Sequence, residues 1–315
     1  METPTPQELY AGIREQYTET DRLPDALIRQ YVRIVHSQFA RMALFSTAQS
    51  LQPDAIRSVD RIIRTVKSAN MFDVRLEGAE ALQDADLVLG NHQGPSGESK
   101  GQGGMETIFS WKMVPPNVRF VMKDELLKRT GSIGKLVRGC VFRKMRPITV
   151  HRPEPGEVCN QREAAAFLLE ERRRVFARVF DVINNEGSPV ILYPEGTRSP
   201  DGRILPFMRD LFDAALEQYI RPRVARGQEP KIGLLVADTL QVFPEGMGKG
   251  APMYRRPLTM RGIRYDTGPL VERLKSAEMP LQLKQLGRWF CEDVRSRMEQ
   301  DLRAILTASK GPKIS

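Results

Sequence analysis

Three observations predict an α/β fold, a largely parallel mixed sheet flanked by helices and preceded by a small N-terminal helical domain. From Met71 onward, seven short apolar runs recur: "MFDVRLEG", "ADLVLGN", "VRFVMK", "RPITVHR", "SPVILYPEG", "KIGLLVAD" and "LTMRGIRY". Stretches with helical periodicity lie between them, and strands alternating with helices favour parallel pairing. Before Met71 the periodicity is helical alone. The division follows: residues 1–70 as the helical domain and 71–315 as the α/β domain.

The elements follow in order. "DALIRQYVRIVHSQFARMALF" sets Leu27, Tyr31, Ile34, Val35, Phe39 and Met42 on one side of a helix, with His36 read as a surface or packing residue. "PDAIRSVDRIIRTVKSAN" starts with Pro53 near the first helical position, repeats Ile56, Val59, Ile63 and Val66, and stops at Asn70. Between the fourth and fifth strands, "QREAAAFLLEERRRVFARVFDVINNEG" carries Ala165, Leu168, Phe176, Val179 and Ile183. It ends at Gly187, placed for a left-handed cap. "LKQLGRWFCEDVRSRMEQDLRAIL" is a final amphipathic helix, and "TASKGPKIS" is expected to fray.

Composition narrows the function classes. The 315 residues include 41% hydrophobic and 28% charged residues, ordinary for a folded domain with a sizeable core. No apolar run approaches a membrane span, and "METPTPQELY" lacks a signal pattern, so a cytoplasmic location is expected. Cys140, Cys159 and Cys291 have no metal spacing and read as reduced structural thiols; with three histidines in all, no metal is implied. The formal net charge of +9 favours an anionic partner. From Arg119 to Arg152 there are ten Lys and Arg against two acids, a basic stretch that is either a solvated face or a binding surface.

Chemistry concentrates in Leu87 to Trp111, "LVLGNHQGPSGESKGQGGMETIFSW". One reading is a worn phosphate loop over Gly94–Gly101, since a strand precedes it and a helix follows. Two required positions fail. Ser99 stands where a second glycine lets the backbone approach phosphate, and Gly101 stands where a hydroxyl would hold magnesium. The other reading takes Asn91-His92, at the end of a strand, as the start of a catalytic block.

About a hundred residues further, "YPEGTRSPDG" directly follows the apolar run Pro189–Leu192. Together, Asn91-His92 and Pro194-Glu195-Gly196-Thr197-Arg198 resemble the glycerol-phosphate and lysophosphatidate acyltransferase family over roughly residues 71–270. In that family a His-x4-Asp block, a basic middle block and a Pro-Glu-Gly-Thr-Arg block form one site. This sequence departs from the first block, because Gly97 stands five positions after His92. The family's aspartate opens a helix about seventeen positions before a lysine, and Glu106 has that relation to Lys123. The resemblance therefore assigns the carboxylate to Glu106, with Glu98 as competitor and residues 94–105 as an inserted loop.

The resemblance implies transfer of a fatty acyl group from a thioester to a hydroxyl. An alcohol does not ionise at neutral pH, so a base must take its proton as the new bond forms, and imidazole suits that task. His92 is the expected base, and Glu106 is expected to orient it. The acceptor's phosphate is assigned to Arg152, closing the middle block, and to Arg198. Arg143, Arg146 and His151 are stand-ins, because about five extra residues lie before Arg152. Glu195 and Gly196 match the family's turn, the glutamate expected to hold the arginines or acceptor hydroxyls, and Thr197 is expected to bond the local backbone. Met208 and Asp210 replace residues that are commonly lysine and glycine in the family, which bears on substrate choice.

No cofactor is implied beyond acyl-CoA or acyl carrier protein as co-substrate. The expected acceptor is 1-acylglycerol-3-phosphate, then glycerol 3-phosphate. Partners follow: the thioester donor, the phosphorylated glycerol or lysolipid acceptor, an anionic membrane surface contacted peripherally, and acyl carrier protein; nucleic acid is not expected. The alternatives from other classes are a P-loop nucleotide-binding protein and an inactive member that only binds lipid or carrier.

Overall fold

The computed structural model describes residues 25–46, 51–68, 73–93, 108–124, 133–151, 160–199, 202–238, 257–276 and 280–308. Two helices come first, α1 (Asp25–Phe45) and α2 (Leu51–Ser68). The seven expected runs then form seven strands: β1 (Val74–Glu77), β2 (Leu87–Gly90), β3 (Arg119–Lys123), β4 (Ile148–Val150), β5 (Val190–Leu192), β6 (Ile232–Asp238) and β7 (Leu258–Arg264). Helix α3 (Ile133–Lys144) joins β3 to β4, and α4 (Gln161–Asn185) joins β4 to β5. A helical passage from β5 to β6 contains α5 (Arg209–Ala215), a π turn (Leu216–Ile220) and α6 (Arg221–Ala225); α7 (Gly268–Lys275) and α8 (Pro280–Ala308) close the chain.

The strands form one sheet in the order β1-β7-β6-β2-β5-β3-β4. Strands β6, β2, β5, β3 and β4 run parallel, while β7 pairs antiparallel with β6 and parallel with β1. The parallel strands read as continuous apolar runs because helices cover both sheet faces. Leu87, Leu89, Val190, Leu192, Leu234 and Val236 join a core with α4, α5 and α8. Their alternates Val88, Ile191, Leu235 and Ala237 point the other way, into a core with α1 and α2. The N-terminal helices thus share a core with the sheet.

The α2 stripe is rotated from the expected one. Leu51, Ala55, Val59, Ile62 and Val66 are buried, and Ile56 and Ile63 lie at its margin. The short residue Ala55 admits close packing, which turns the helix toward it. Helix α4 behaves in two parts. Asn160 caps its start by accepting the Glu163 N–H at 2.9 Å, a cap the sequence reading did not name. Gly187 follows its end at φ 63°, as the sequence predicted. Phe176, Val179 and Ile183 are buried as expected, whereas Ala165 and Leu168 are exposed.

Pro222 accounts for the π turn. It has no N–H for the carbonyl four residues back, and its ring would crowd that carbonyl in a regular helix. Widening over Leu216–Ile220 relieves the clash, and the Asn184 amide donates to the Gln218 carbonyl at 2.7 Å. At the same end of the sheet the Tyr219 hydroxyl donates to Asp86 at 3.0 Å and accepts the Lys231 N–H at 2.8 Å. This clamps the starts of β2 and β6. Burial pushes the Tyr219 phenol above its usual range.

Glycine is required where β1 turns across β7. Gly78 has φ 65°, and a Cβ there would lie 2.3 Å from the Gly262 carbonyl oxygen. A Cβ on Gly262 would meet the Gly78 oxygen at 2.4 Å and Leu82 Cγ at 2.8 Å. Gly262→Ala is therefore expected to cost about 3 kcal/mol, the upper end for overpacking, because the obstruction is backbone. Urea denaturation measures it; an unchanged midpoint would contradict this packing.

Candidate functional site

The parallel strands all end on one side of the sheet, the side where open α/β sheets bind ligands. His92 follows β2 there, and Tyr193–Ser199 follow β5, the neighbouring strand. Asn91 sets the first position. It is 1% exposed, its Nδ2 donates to the Ala237 carbonyl at 2.9 Å, and its Oδ1 accepts the Ala237 N–H at 2.6 Å. The side-chain amide thus extends the β2–β6 ladder by one peptide-like pairing and fixes the direction in which His92 leaves. Asn91→Ala leaves both Ala237 groups buried without that partner. We expect a loss of about 2 kcal/mol in denaturation and a lower turnover at unchanged protein concentration.

The β5 exit is a tight turn. Gly196 N–H donates to the Tyr193 carbonyl at 3.0 Å, with Pro194 at the second position, where its fixed φ fits. Gly196 has φ 66°, and a Cβ on it would lie 3.1 Å from Met208 Sδ. The turn aims Glu195 inward. It is 7% exposed, and its carboxylate accepts the His92 N–H at 3.0 Å and the Leu205 N–H at 3.2 Å. Among these described contacts Glu195 holds the backbone that carries the histidine.

Further bonds join the two exits. Ser199 N–H donates to the His92 carbonyl at 2.7 Å, Gln93 pairs with Ser199 in a parallel bridge, and Gln93 Nε2 donates to the Gly202 carbonyl at 2.7 Å. The chain leaving β5 therefore continues beside the chain leaving β2. Two side chains face each other across this join. Arg198 Nε–H donates to His92 Nε2 at 3.3 Å, and the His92 ring stacks on Tyr193 at 4.5 Å between centroids. Both His92 and Arg198 are half-buried. Gly90 admits the stack, since a Cβ there would lie 3.0 Å from the Tyr193 ring.

The structure thus brings His92, Glu195, Gly196 and Arg198 together, with Thr197 exposed on the same turn. The Thr197 hydroxyl makes no hydrogen bond among the described residues, so the expected local backbone bond is not formed there. Glu98, Glu106 and Arg152 lie outside the described residues, as does the loop 94–105. The sequence reading missed the roles of Asn91 and Tyr193. Each adjoins a quoted motif residue, but an amide acting as a strand extension carries no distinct sequence signal.

Two arginine stand-ins are corrected. Arg143 ends α3 and Arg146 precedes β4, so both lie at the opposite end of the parallel strands from His92. A helix joining parallel strands delivers its C-terminus to the start of the next strand. Arg146 there faces Glu186 at 3.6 Å, and Arg119 and Arg178 pair with the same carboxylate. Part of the basic stretch 119–152 is therefore structural. The third stand-in, His151, does lie at the His92 end of the sheet. Its Nδ1 is 3.0 Å from Asp124 Oδ2, and its N–H donates to Glu171 Oε1 at 2.6 Å. Arg174 holds the Glu171 carboxyl below the usual carboxylate range, against the effect of burial.

The same region is covered by a known family model, that described as Acyltransferase, which matches residues 73–225, from β1 to α6. Over these residues the chain is similar to the acyltransferase family. The 1-acyl-sn-glycerol-3-phosphate acyltransferases of Limnanthes douglasii and Limnanthes alba are each 22% identical to it over 188 residues, 60% of this chain and 52% of theirs. The chain spans about half the length of these relatives. Among the described residues, no helix is long and apolar enough to cross a membrane.

Proposed function

We propose that this chain is an O-acyltransferase that moves a fatty acyl group from acyl-CoA or acyl carrier protein to a hydroxyl of a glycerol-phosphate type acceptor. The first acceptor is 1-acylglycerol-3-phosphate, the substrate in the relatives' names; glycerol 3-phosphate is second. The observation that carries this reading is the 3.3 Å approach of Arg198 Nε to His92 Nε2 at the strand ends. On this reading His92 is the base and Arg198 the phosphate-binding fork, within one substrate length of each other.

The steps follow from the groups present. Accepting from Arg198, Nε2 has a lone pair outward and the ring proton sits on Nδ1, the tautomer a base requires. When a phosphorylated acceptor enters, Arg198 turns its fork to the phosphate, a geometry guanidinium matches bidentately. Nε2 is then left facing the acceptor's hydroxyl. As the hydroxyl oxygen bonds to the thioester carbonyl carbon, its proton passes to His92. The tetrahedral intermediate collapses by breaking the carbon–sulfur bond, and the imidazolium returns that proton to the departing thiolate. The products are an ester and a free thiol. Glu195, through the His92 N–H, and Tyr193, through the stack, keep the ring aimed during the exchange. Glu106, or Glu98 in its stead, is proposed to hold Nδ1, and Arg152 to share the phosphate. The enzyme works peripherally on a lipid surface.

The experiment is turnover by the purified protein with acyl-CoA and acyl carrier protein donors against a panel of acceptors, reading thiol release and ester product. Thiol release that depends on lysophosphatidate supports the proposal. Thiol release without an acceptor, or ATP binding abolished by Lys100→Ala, would overturn it.

A further inference from the structure

The outer half of α4 carries large apolar side chains outside the core. Glu171 accepts the His151 N–H, and Arg174 Nη2 donates to the Thr149 carbonyl at 3.0 Å, so this turn of the helix is level with the end of β4. Residues before Glu171 therefore stand beyond the strand ends, and Phe167, Leu168 and Leu169 there are 36%, 39% and 40% exposed. Leu168 precedes the buried Val175 by seven residues and Val179 by eleven, close to two and three helical turns. It thus continues the stripe that faces the core below and looks over the end of the sheet. Glu163, Glu170 and Arg173 take the opposite, solvent side of the helix.

This face borders a groove. Leu169 forms one wall of a space of about 560 Å³ whose floor includes Pro206, Phe207 and Met208, a size within the range of ligand pockets. The floor is held in place: the Phe207 ring lies parallel to Phe212 at 5.9 Å between centroids, and the Met208 N–H donates to the Pro194 carbonyl at 2.8 Å. Met208 also packs against Gly196, two residues before Arg198, so the groove adjoins the site. The charges along it are matched to one another. Arg172 faces Asp210 at 3.4 Å, and Arg209 faces Asp213 at 4.0 Å. Charges balanced in this way select neither an anion nor a cation, and they leave a ligand the apolar surface from Met208 to Leu169 and Leu168.

We propose that this groove and the adjoining face of α4 bind the alkyl chain of a fatty acyl substrate, with Leu168 and Leu169 setting how much of the chain is held. The inference rests on the acyl-transfer reading above and adds chain-length selection to that site. An alkyl chain carries no charge to pair and gains from each methylene it buries, which suits a leucine wall between neutralised ion pairs. Either substrate supplies that chemistry, through the acyl group of the donor or the chain already on a lysolipid acceptor.

The test compares the full chain with a Leu168→Ser/Leu169→Ser variant over two series. In one, the acyl-CoA chain is varied against a single acceptor; in the other, the lysophosphatidate chain is varied against a single donor. Wild-type kcat/KM should rise with chain length in one or both series, by up to about fourfold per methylene. The variant should flatten that rise while keeping its thermal midpoint and its rate on the shortest chains. A second variant, Leu169→Trp, fills the groove and should move the preferred length toward shorter chains. Flattening in the donor series alone assigns the groove to the donor's acyl group, and flattening in the acceptor series alone assigns it to the lysolipid. Wild-type chain dependence in both variants would overturn the proposal and leave the catalytic reading standing, as would equal losses on short and long chains. If the wild-type protein turns over no acceptor, calorimetry with the same acyl-CoA and lysophosphatidate chains decides separately. Leucine-dependent binding that grows with chain length would keep the groove and remove the catalytic reading; binding unchanged in the variants would remove both.

Discussion

Replacing His92 by alanine is expected to lower kcat/KM by about 10²–10⁴-fold, the contribution typical of a positioned general base. The fold should persist. The ring is half-buried, and its neighbours include the Tyr193 ring and the Arg198 guanidinium. The backbone that carries it is held independently, by Glu195 at its N–H and by Ser199 at its carbonyl. The thermal midpoint should therefore move by no more than a few degrees, the shift worth about 1 kcal/mol. Steady-state thiol release and a melting curve on the same preparation decide it. Unchanged turnover would remove the base assignment; a collapsed melting curve would make His92 a structural residue.

Replacing Arg198 by alanine should separate acceptors by charge. With 1-acylglycerol-3-phosphate, loss of a bidentate guanidinium–phosphate contact should lower kcat/KM by about 10²–10⁴-fold, since each of its two hydrogen bonds to a charged group is worth roughly 1.5–3 kcal/mol. With a monoacylglycerol, which has no phosphate for Arg198 to grip, the loss should be only a few-fold. Arg198→Lys should fall between, because an ammonium keeps the charge and loses the fork. Equal losses on both acceptors would mean that Arg198 acts on the histidine and not on the substrate.

Much of this architecture is legible in the chain. Strands buried on both faces must be apolar at nearly every position, so "KIGLLVAD" and "SPVILYPEG" stand out against helices that are apolar on one side. The site is legible for a related reason. A turn needing Pro194 and a left-handed Gly196 right after a buried strand leaves few sequences that fit. Other features depend on what lies across space. Helical periodicity in α4 runs unbroken through its outer and inner halves, yet only the inner half meets the sheet, because β4 ends at Val150. The basic stretch from Arg119 to Arg152 looks uniform, but chain direction sends Arg119 and Arg146 to Glu186 and His151 to the other end. The Asn91 clamp on Ala237 joins residues 146 positions apart, and no local pattern announces it.

A structure of the wild-type protein with 1-acylglycerol-3-phosphate and a non-transferable thioether analogue of the donor probes the central geometry. The acceptor's free hydroxyl should lie about 3 Å from His92 Nε2, with its phosphate on the Arg198 guanidinium, now turned away from the ring. A phosphate bound away from Arg198, or a hydroxyl beyond the reach of His92 with the donor in place, would contradict the account.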